Sequence, residues 1–183
     1  ATGLSCKPCD LGADIVVHSA TKYLNGHGDI IAGVVCTSTE LMTQIKGMGL
    51  KALTGSVLAP MDAFLLNRGL KTLPLRLEKH SENAMKVAAW LETRDGVEEV
   101  YYVGLKSHPQ YRIAKKQLAY TGGMIAFELE NPQIAERMMN NVKLCILAVS
   151  LGDCETLIEH PGSMTHSNFS EEEMIEAGFS KNL

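Results

Sequence analysis

The residues best suited to chemistry follow the first apolar segment of the chain, where Ser19, Thr21 and Lys22 are closely spaced. The preceding run Ile15–Val17 is β-branched and predicts a buried strand, and ligand sites in open α/β sheets gather at strand ends. Two hydroxyl groups beside an amine can hydrogen-bond a phosphate, while the amine itself can attack an aldehyde. On residue types alone two interpretations stay open, a nucleophilic lysine in a phosphate-binding loop or a solvated lysine after a strand.

Two other groups of residues are candidates for metal or redox chemistry. Cys6 and Cys9 have the spacing of a redox or zinc motif, but a structural zinc site needs four ligands and no second pair of that spacing follows. The more ordinary interpretation is two thiols in a loop before the first strand. We predict no metal site, because the histidines also lack ligand spacing: His18, His27, His80, His108, His160 and His166.

The overall composition limits the class of protein. The chain has 183 residues, of which 45% are hydrophobic and 21% charged, as in an ordinary globular domain. A net charge of −4 indicates no partner among nucleic acids or anionic lipids, and no apolar run reaches the ~20 residues of a membrane-spanning helix. Five scattered cysteines argue against a disulfide framework and predict a reducing, cytoplasmic location. The chain lacks an initiator Met, so we expect it to be a piece of a longer protein.

The hydrophobic periodicity predicts alternating strands and helices, which indicates an α/β or α+β fold. Buried strands are predicted over 14–18 and 30–37 with a polar loop over 19–29 between them, the first strand as part of a parallel sheet covered on both faces. Helices are predicted over 40–48, from 58 to Pro74, and over 75–93 with Pro74 at the helix start. The later elements are strands over 97–103 and 123–129, helices over 111–118 and after Pro132, an apolar run over 142–149, and a last helix opened by a capping box over 170–173.

The segment Asp14–Gly28 resembles a motif of a known family. Its pattern Asp-Ile-x-x-x-Ser-Ala-Thr-Lys-Tyr-Leu-x-Gly-His-Gly resembles the sequence to which the Cys/Met-metabolism enzymes attach pyridoxal 5'-phosphate (PLP). Four later segments resemble further landmarks of that family: 70–73, 122–127, 150–157 and 160–166. The resemblance implies the aspartate-aminotransferase-like fold of the PLP-dependent transferases. Residues 1–73 would then be the end of the large PLP-binding domain, and residues 74–183 most of the small C-terminal domain.

The resemblance implies roles only at the positions that match the family pattern. Lys22 would bond the aldehyde of PLP and later act as the base that takes the α-proton of the substrate. The hydroxyl groups of Ser19 and Thr21, with the backbone of Ala20 between them, resemble the phosphate contacts of the family. These four residues are therefore the expected cofactor site.

The segment Ser150–Glu155 bears on the substrate. By resemblance Ser150 is the residue beside the substrate carboxylate, and Thr165 supports the arginine that binds this carboxylate. The pair Asp153-Cys154 resembles the methionine γ-lyases, whereas cystathionine enzymes tend to have a second glycine and an aromatic residue there. The implied reaction converts a small sulfur amino acid, L-methionine, to methanethiol, 2-oxobutanoate and ammonia by α,γ-elimination. The alternatives are a cystathionine γ- or β-lyase, a sulfhydrylase, or a non-catalytic chain that only packs with full-length subunits.

The family also uses groups that these residues do not supply. In the family, further phosphate ligands, the tyrosine stacked on the PLP ring and the aspartate at the ring nitrogen precede the lysine, and the carboxylate-binding arginine follows the last helix. Family members build each active site across a homodimer and usually form homotetramers. Without these groups PLP is a poorer electron sink and the substrate loses its bidentate anchor. We therefore expect negligible lyase activity from this stretch alone.

Overall fold

The computed structural model describes residues 2–180, 182 and 183, which form a mixed α/β architecture. The strands are β1 Ile15–Ser19, β2 Gly33–Thr37, β3 Val97–Tyr101, β4 Ala126–Leu129, β5 Ile146–Leu147 and β6 Leu157–Ile158. The α-helices are α1 Thr39–Gln44, α2 Pro60–Leu70, α3 Leu73–Leu91, α4 Tyr111–Gln117, α5 Pro132–Met139 and α6 Glu171–Glu176. Other helical segments are a 3-10 helix over Pro8–Leu11 and π-helical windings over Ala20–Leu24 and Ile45–Thr54. The strands pair as β1 with β2, β3 with β4, and β5 with β6.

The first two strands are antiparallel, with Ser19 opposite Gly33 at the end where the chain leaves β1. The prediction of a parallel strand over 14–18 is therefore wrong in direction, because a β-branched run indicates burial and carries no information on the partner's orientation. Burial is also one-sided, since Val16 is buried while Val17 is 71% exposed. The pairing of β1 with β2 sets the point at which the lysine segment, the residues around Lys22, begins.

Three predicted boundaries shift for local reasons. The strand predicted over 30–37 pairs only from Gly33, and the loop predicted over 19–29 contains a π-helical turn. The helix predicted over 40–48 is α-helical only to Gln44 and then widens into π-helical winding. Two glycines within that winding weaken the α-helical preference. The winding ends at Gly55, whose left-handed backbone lets its amide donate to the Leu50 carbonyl at 2.7 Å.

Helix α3 packs against two clusters of buried residues. Leu73 and Leu77, one helical turn apart, contact Tyr23 of the lysine segment. Further along the helix Ala84 contacts the cluster around Tyr102. Pro74 lies in the first turn of α3, as the sequence predicts, where its missing amide hydrogen removes no helical bond. Helix α3 therefore packs both against the lysine segment and against the residues around the strand pair β3–β4.

A buried tyrosine fixes the segment before β4 onto α3. The hydroxyl of Tyr102 makes a 2.6 Å hydrogen bond with the Thr121 hydroxyl and donates to the Gly122 carbonyl at 2.9 Å. The Ser81 hydroxyl of α3 accepts a hydrogen bond from the Gly122 amide at 3.0 Å. Gly123, the next residue, is thereby held close to the lysine segment.

The apolar run predicted over 142–149 forms only the two-residue strand β5, which pairs in parallel with β6. The pair brings the two ends of the intervening loop together, since Ile146 lies opposite Leu157. Downstream, the predicted capping box is confirmed. Ser170 accepts from the Glu173 amide, and the Glu173 side chain accepts from the Ser170 amide.

The cysteines are free thiols, and Cys9 lies in the 3-10 helix just after Cys6. Within the part of the chain that the structure describes, no three His, Cys, Asp or Glu side chains are grouped to hold a metal ion. Across the same residues no helix has both the length and the apolar character needed to cross a membrane.

Replacing Leu77 with alanine should lower the free energy of unfolding by about 2–5 kcal/mol, because a fully buried leucine leaves a cavity between α3 and Tyr23. The matched control is Leu75→Ala on the same helix. The side chain of Leu75 is 70% exposed, so we expect a change within about 0.5 kcal/mol. Urea unfolding monitored by circular dichroism measures both. Equal losses would contradict the packing of α3 on the lysine segment.

Candidate functional site

Lys22 lies in a turn that begins as soon as β1 ends. The π-helical turn Ala20–Leu24 is closed by the Asn25 amide, which donates to the Ala20 carbonyl at 3.1 Å. Inside the turn Lys22 departs from helical geometry, with φ −90° and ψ −131°, and its side chain is half-buried. We call residues 20–28 the lysine turn. No regular helix continues through Lys22. The backbone of the lysine turn is therefore held by contacts with other parts of the chain.

The start of the lysine turn is fastened to the residue before β2. The amides of Ala20 and Thr21 both donate to the Ala32 carbonyl, at 2.8 and 3.2 Å. The Thr21 hydroxyl accepts from the Ala32 amide at 2.9 Å and donates to the Ala32 carbonyl at 3.3 Å. Ser19, in contrast, is exposed and makes no capping hydrogen bond with its side chain. Thr21 is thus held by the fold, whereas the Ser19 hydroxyl faces solvent.

The end of the lysine turn is held by the guanidinium of Arg76. One terminal nitrogen donates to the Tyr23 carbonyl at 2.9 Å, and the other donates to the carbonyls of Gly69 and Asn25 at 2.9 and 3.2 Å. The third nitrogen donates to the Thr72 hydroxyl at 3.0 Å. Carbonyls at the end of a helical turn lack helical partners, and here one planar group donates hydrogen bonds to several of them, beside His27 Nδ1 at the Asn25 carbonyl.

Burial and charge act together around Arg76. Burial lowers the pKa of Arg76, while the nearby Cys154 thiol and Asp153 carboxylate oppose this shift. Burial also lowers the pKa of His80, and the charge of Arg76 adds to that lowering. Burial raises the pKa of Tyr23. Among the described residues, His80 Nε2 and Asp153 Oδ1 are buried atoms without a hydrogen-bond partner.

A second loop contacts the lysine turn, and we call residues 150–154 the serine loop. The Lys22 amine donates to the Ser150 hydroxyl at 2.9 Å. Ser150 has φ +139°, the only positive φ of a non-glycine residue in the described part of the chain. Gly152 has φ +85°, and a Cβ there would lie 2.6 Å from the Tyr23 amide nitrogen. The close approach of the two loops therefore requires glycine at 152.

The structure brings some of the predicted site residues into contact and leaves others apart. Lys22 and Ser150 share a hydrogen bond although 128 positions separate them in the sequence. Thr165 instead bonds within its own segment, to His166 Nδ1 at 2.9 Å and to the Glu159 carboxylate at 3.5 Å. The support of an arginine by Thr165 stays a prediction.

Two residues of the site, Arg76 and Tyr23, were not predicted. The Tyr23 hydroxyl accepts from the Gly123 amide at 3.0 Å, and its ring packs edge-on against His80 at 5.6 Å. The hydrophobic periodicity of α3 could have indicated Arg76. Arg76 and His80 each follow a buried leucine of α3 by three positions, which places both polar residues on the apolar face of the helix.

The donor groups around the lysine turn fit PLP. The Lys22 amine matches the aldehyde, and the exposed Ser19 hydroxyl can donate to a phosphate oxygen. The Thr21 oxygen already accepts from the Ala32 amide, so its own proton can turn from the long 3.3 Å contact to a phosphate. An amine next to two hydroxyl donors is the combination that an aldehyde carrying a phosphate requires.

Comparison with known proteins gives consistent matches along the whole chain. The sequence model of the family described as Cys/Met metabolism PLP-dependent enzyme matches residues 1–183. An L-methionine γ-lyase of Porphyromonas gingivalis is 54% identical over 179 residues, covering 97% of this chain and 45% of that protein. A cystathionine β-lyase of Coxiella burnetii is 49% identical over 181 residues, covering 97% of this chain and 46% of that protein.

A solved structure agrees in fold as well as in sequence. The cystathionine γ-synthase of Xanthomonas oryzae pv. oryzae, crystallised in complex with cystathionine, superposes with a TM-score of 0.92 at 42% identity. The match covers 99% of this chain and 47% of the other. The chain thus has the fold of these PLP-dependent enzymes, and it spans about half the length of the curated relatives it matches.

Replacing Gly26 with alanine should destabilise the protein more than the same change at Gly55. Both glycines have positive φ, +73° and +63°, so both changes carry a backbone cost of about 1–2 kcal/mol. A Cβ at Gly26 would also overlap the Arg76 guanidinium, whereas nothing lies within 4 Å of a Cβ at Gly55. Displacing Arg76 removes the donor to the carbonyl of the buried Tyr23, which adds about 1–3 kcal/mol. Thermal and urea unfolding measure the loss of stability in the two variants. Equal losses would contradict the role of Arg76 in holding the lysine turn.

Proposed function

The chain belongs to the Cys/Met-metabolism PLP-dependent enzymes, and from that premise we propose that the protein is a carbon–sulfur lyase that acts on L-methionine. It takes up one water and releases methanethiol, 2-oxobutanoate and ammonia. The observation that carries the proposal is the hydrogen bond between the Lys22 amine and the Ser150 hydroxyl. It joins the attachment lysine to the serine loop, whose Asp153-Cys154 pair resembles that of methionine γ-lyases.

The lysine turn would hold the cofactor by two kinds of group. Lys22 would bond the aldehyde, and the hydroxyls of Ser19 and Thr21 with the backbone of Ala20 would contact the phosphate. When bound, PLP supplies an electron-withdrawing ring that makes the α-proton of the amino acid acidic. Lys22 would be the base that accepts this α-proton and shuttles it within the site while methanethiol is released from the γ-carbon.

Ser150 would orient the amino-acid end of the substrate. Its oxygen accepts a hydrogen bond from Lys22, so its own hydroxyl proton is free to donate to a carboxylate oxygen. A carboxylate held there places the α-carbon beside the lysine amine, and correct placement of this kind lowers the barrier to proton transfer. Ser150 therefore links substrate orientation to the position of the base.

The second candidate function is a cystathionine lyase of the same family. It is favoured by the 49% identity to the Coxiella burnetii cystathionine β-lyase. Both substrates are amino acids with a carbon–sulfur bond and present the same carboxylate and amino group to Lys22. They differ in the substituent on sulfur, which is a methyl group in methionine and a second amino acid in cystathionine.

We also propose that the protein works in the cytoplasm as a homodimer or homotetramer. The free state of its cysteines suits a reducing compartment. Many large apolar side chains are exposed on this chain, and such surfaces suit contact with the rest of a longer protein or with other subunits. They include Val17, Leu53, Met61 and Phe64.

Product analysis tests the proposed reaction. The purified holoenzyme should release methanethiol and 2-oxobutanoate from L-methionine with a higher kcat/KM than it shows for cystathionine. A thiol reagent and an oxo-acid assay measure the two products. A higher kcat/KM for cystathionine would assign the protein to the second candidate function.

Two lysine variants test the role of Lys22. Lys22→Ala should abolish the absorbance band of the lysine–PLP bond and reduce turnover to background, because both depend on this amine. The control Lys106→Ala removes an exposed lysine outside the lysine turn and should keep the band and the rate. Retention of the band in Lys22→Ala would assign the attachment to another lysine.

The mass of the native protein tests the proposed assembly. Light scattering should give two or four times the mass of one subunit, because the resemblance to the family implies an active site built across a homodimer. A mass equal to one subunit at micromolar concentration would contradict the proposed assembly.

A further inference from the structure

The serine loop contacts the lysine turn at successive positions. Ser150 accepts from the Lys22 amine, and Gly152 lies against the backbone of Lys22 and Tyr23. The Cys154 thiol donates to the Gly26 carbonyl at 3.2 Å. Contacts this regular between segments so distant in the sequence indicate that the position of one loop determines that of the other.

Asp153 lies in the middle of this contact and is buried, with 8% of its surface exposed. Its Oδ2 atom lies 3.2 Å from the place that a Cβ on Gly28 would take. Gly28 has φ +64°, so glycine is required there both by the backbone and by the neighbouring carboxylate. The lysine turn thus provides the space in which the carboxylate of the serine loop is buried.

A buried carboxylate needs compensation by a cation or by hydrogen bonds. Asp153 Oδ1 has no hydrogen-bond partner among the described residues. Asp153 makes no ion pair within 4 Å among the described residues, and the guanidinium of Arg76, which binds the Tyr23 and Asn25 carbonyls of the lysine turn, acts on it only at longer range. The contact between the two loops at this point is therefore the packing of the buried carboxylate against Gly28, to which the attraction by Arg76 adds.

We propose that Asp153 is a positioning residue that keeps the Ser150 hydroxyl within hydrogen-bond distance of the Lys22 amine. The identity of the substrate in this inference rests on the proposed function, whereas the contact between the two loops does not. The positive φ of Ser150 supports the assignment, because a strained backbone persists only where surrounding contacts hold it. Without its charge Asp153 loses the attraction to Arg76 and holds the serine loop less firmly against Gly28, so Ser150 moves away from the lysine.

A double-mutant cycle on the holoenzyme tests this role. Asp153→Asn keeps the shape of the side chain and removes its charge, and it should lower kcat by about 10- to 100-fold, the effect of a small misplacement of reacting groups. In the Ser150→Ala background the same change should lower kcat far less, because the residue through which Asp153 acts is already absent. Asp95→Asn, an exposed aspartate in a turn, is the matched control and should leave kcat unchanged.

A measurement on the apoenzyme provides a readout that does not depend on turnover. An acylating reagent labels amines, and peptide mass spectrometry gives the labelling rate at Lys22 relative to Lys106. Asp153→Asn should raise the relative rate at Lys22, because the amine loses its hydrogen bond to Ser150. Ser150→Ala should raise it to a similar extent, and the double variant no further.

A second pair of variants covers a failure of Asp153→Asn to fold. Cys154→Ala removes the donor to the Gly26 carbonyl and should change kcat and Lys22 labelling in the same direction, while Cys154→Ser restores a donor and both values.

Equal losses of kcat from Asp153→Asn with and without Ser150, or unchanged labelling of Lys22, would overturn the proposal. Failure of the proposed function is recognised separately. If the wild-type enzyme prefers cystathionine, the cycle is run on that substrate. If it turns over neither methionine nor cystathionine, the labelling of Lys22 by itself tests the role of Asp153.

Discussion

The guanidinium of Arg76 is the group on which the geometry around Lys22 depends. The kinked turn at the lysine leaves carbonyl groups without helical partners, and Arg76 donates to those of Tyr23 and Asn25 as well as to Gly69 at the end of α2. The Asn25 carbonyl also contacts His27 Nδ1 and the Gly69 carbonyl also accepts from Thr72, whereas Arg76 is the donor to the Tyr23 carbonyl, and a buried carbonyl that loses its partner costs about 1–3 kcal/mol. The planar fork of arginine reaches carbonyls on two segments at once, which the single ammonium group of a lysine cannot do.

Helix α3 gives Arg76 its fixed position, and the same helix collects the other contacts of the site. Leu73 and Leu77 bury the ring of Tyr23, whose hydroxyl accepts from the Gly123 amide of the segment before β4. Gly152 then packs on the backbone of Tyr23. The long-range hydrogen bonds of the lysine turn thus join residues that lie 51 to 128 positions apart in the sequence. Such distant contacts hold a side chain more precisely than a loop on its own can.

The hydroxyl groups at the site differ in whether their hydrogen bonds are made within the protein or remain available to a ligand. The Thr21 oxygen accepts from the Ala32 amide and so positions the turn while its proton stays available to a ligand, whereas Ser19 is exposed and makes no capping bond. The Ser150 oxygen accepts from Lys22 and leaves its own proton for a further acceptor. Under the proposed function these groups would bind the amino-acid end that the two candidate substrates share. Methionine and cystathionine would then be distinguished by contacts with the substituent on sulfur.

The sequence by itself determined the features that depend on a few neighbouring residues: the family motif around Lys22, the place of Pro74 in the first turn of α3 and the capping box at Ser170. Periodicity and caps act within about one helical turn, so they can be predicted locally. Only the tertiary structure decided the antiparallel direction of β1 and the roles of Arg76 and Gly152. Strand direction and carbonyl partners depend on which distant segments meet, and no local pattern of residue types encodes that choice.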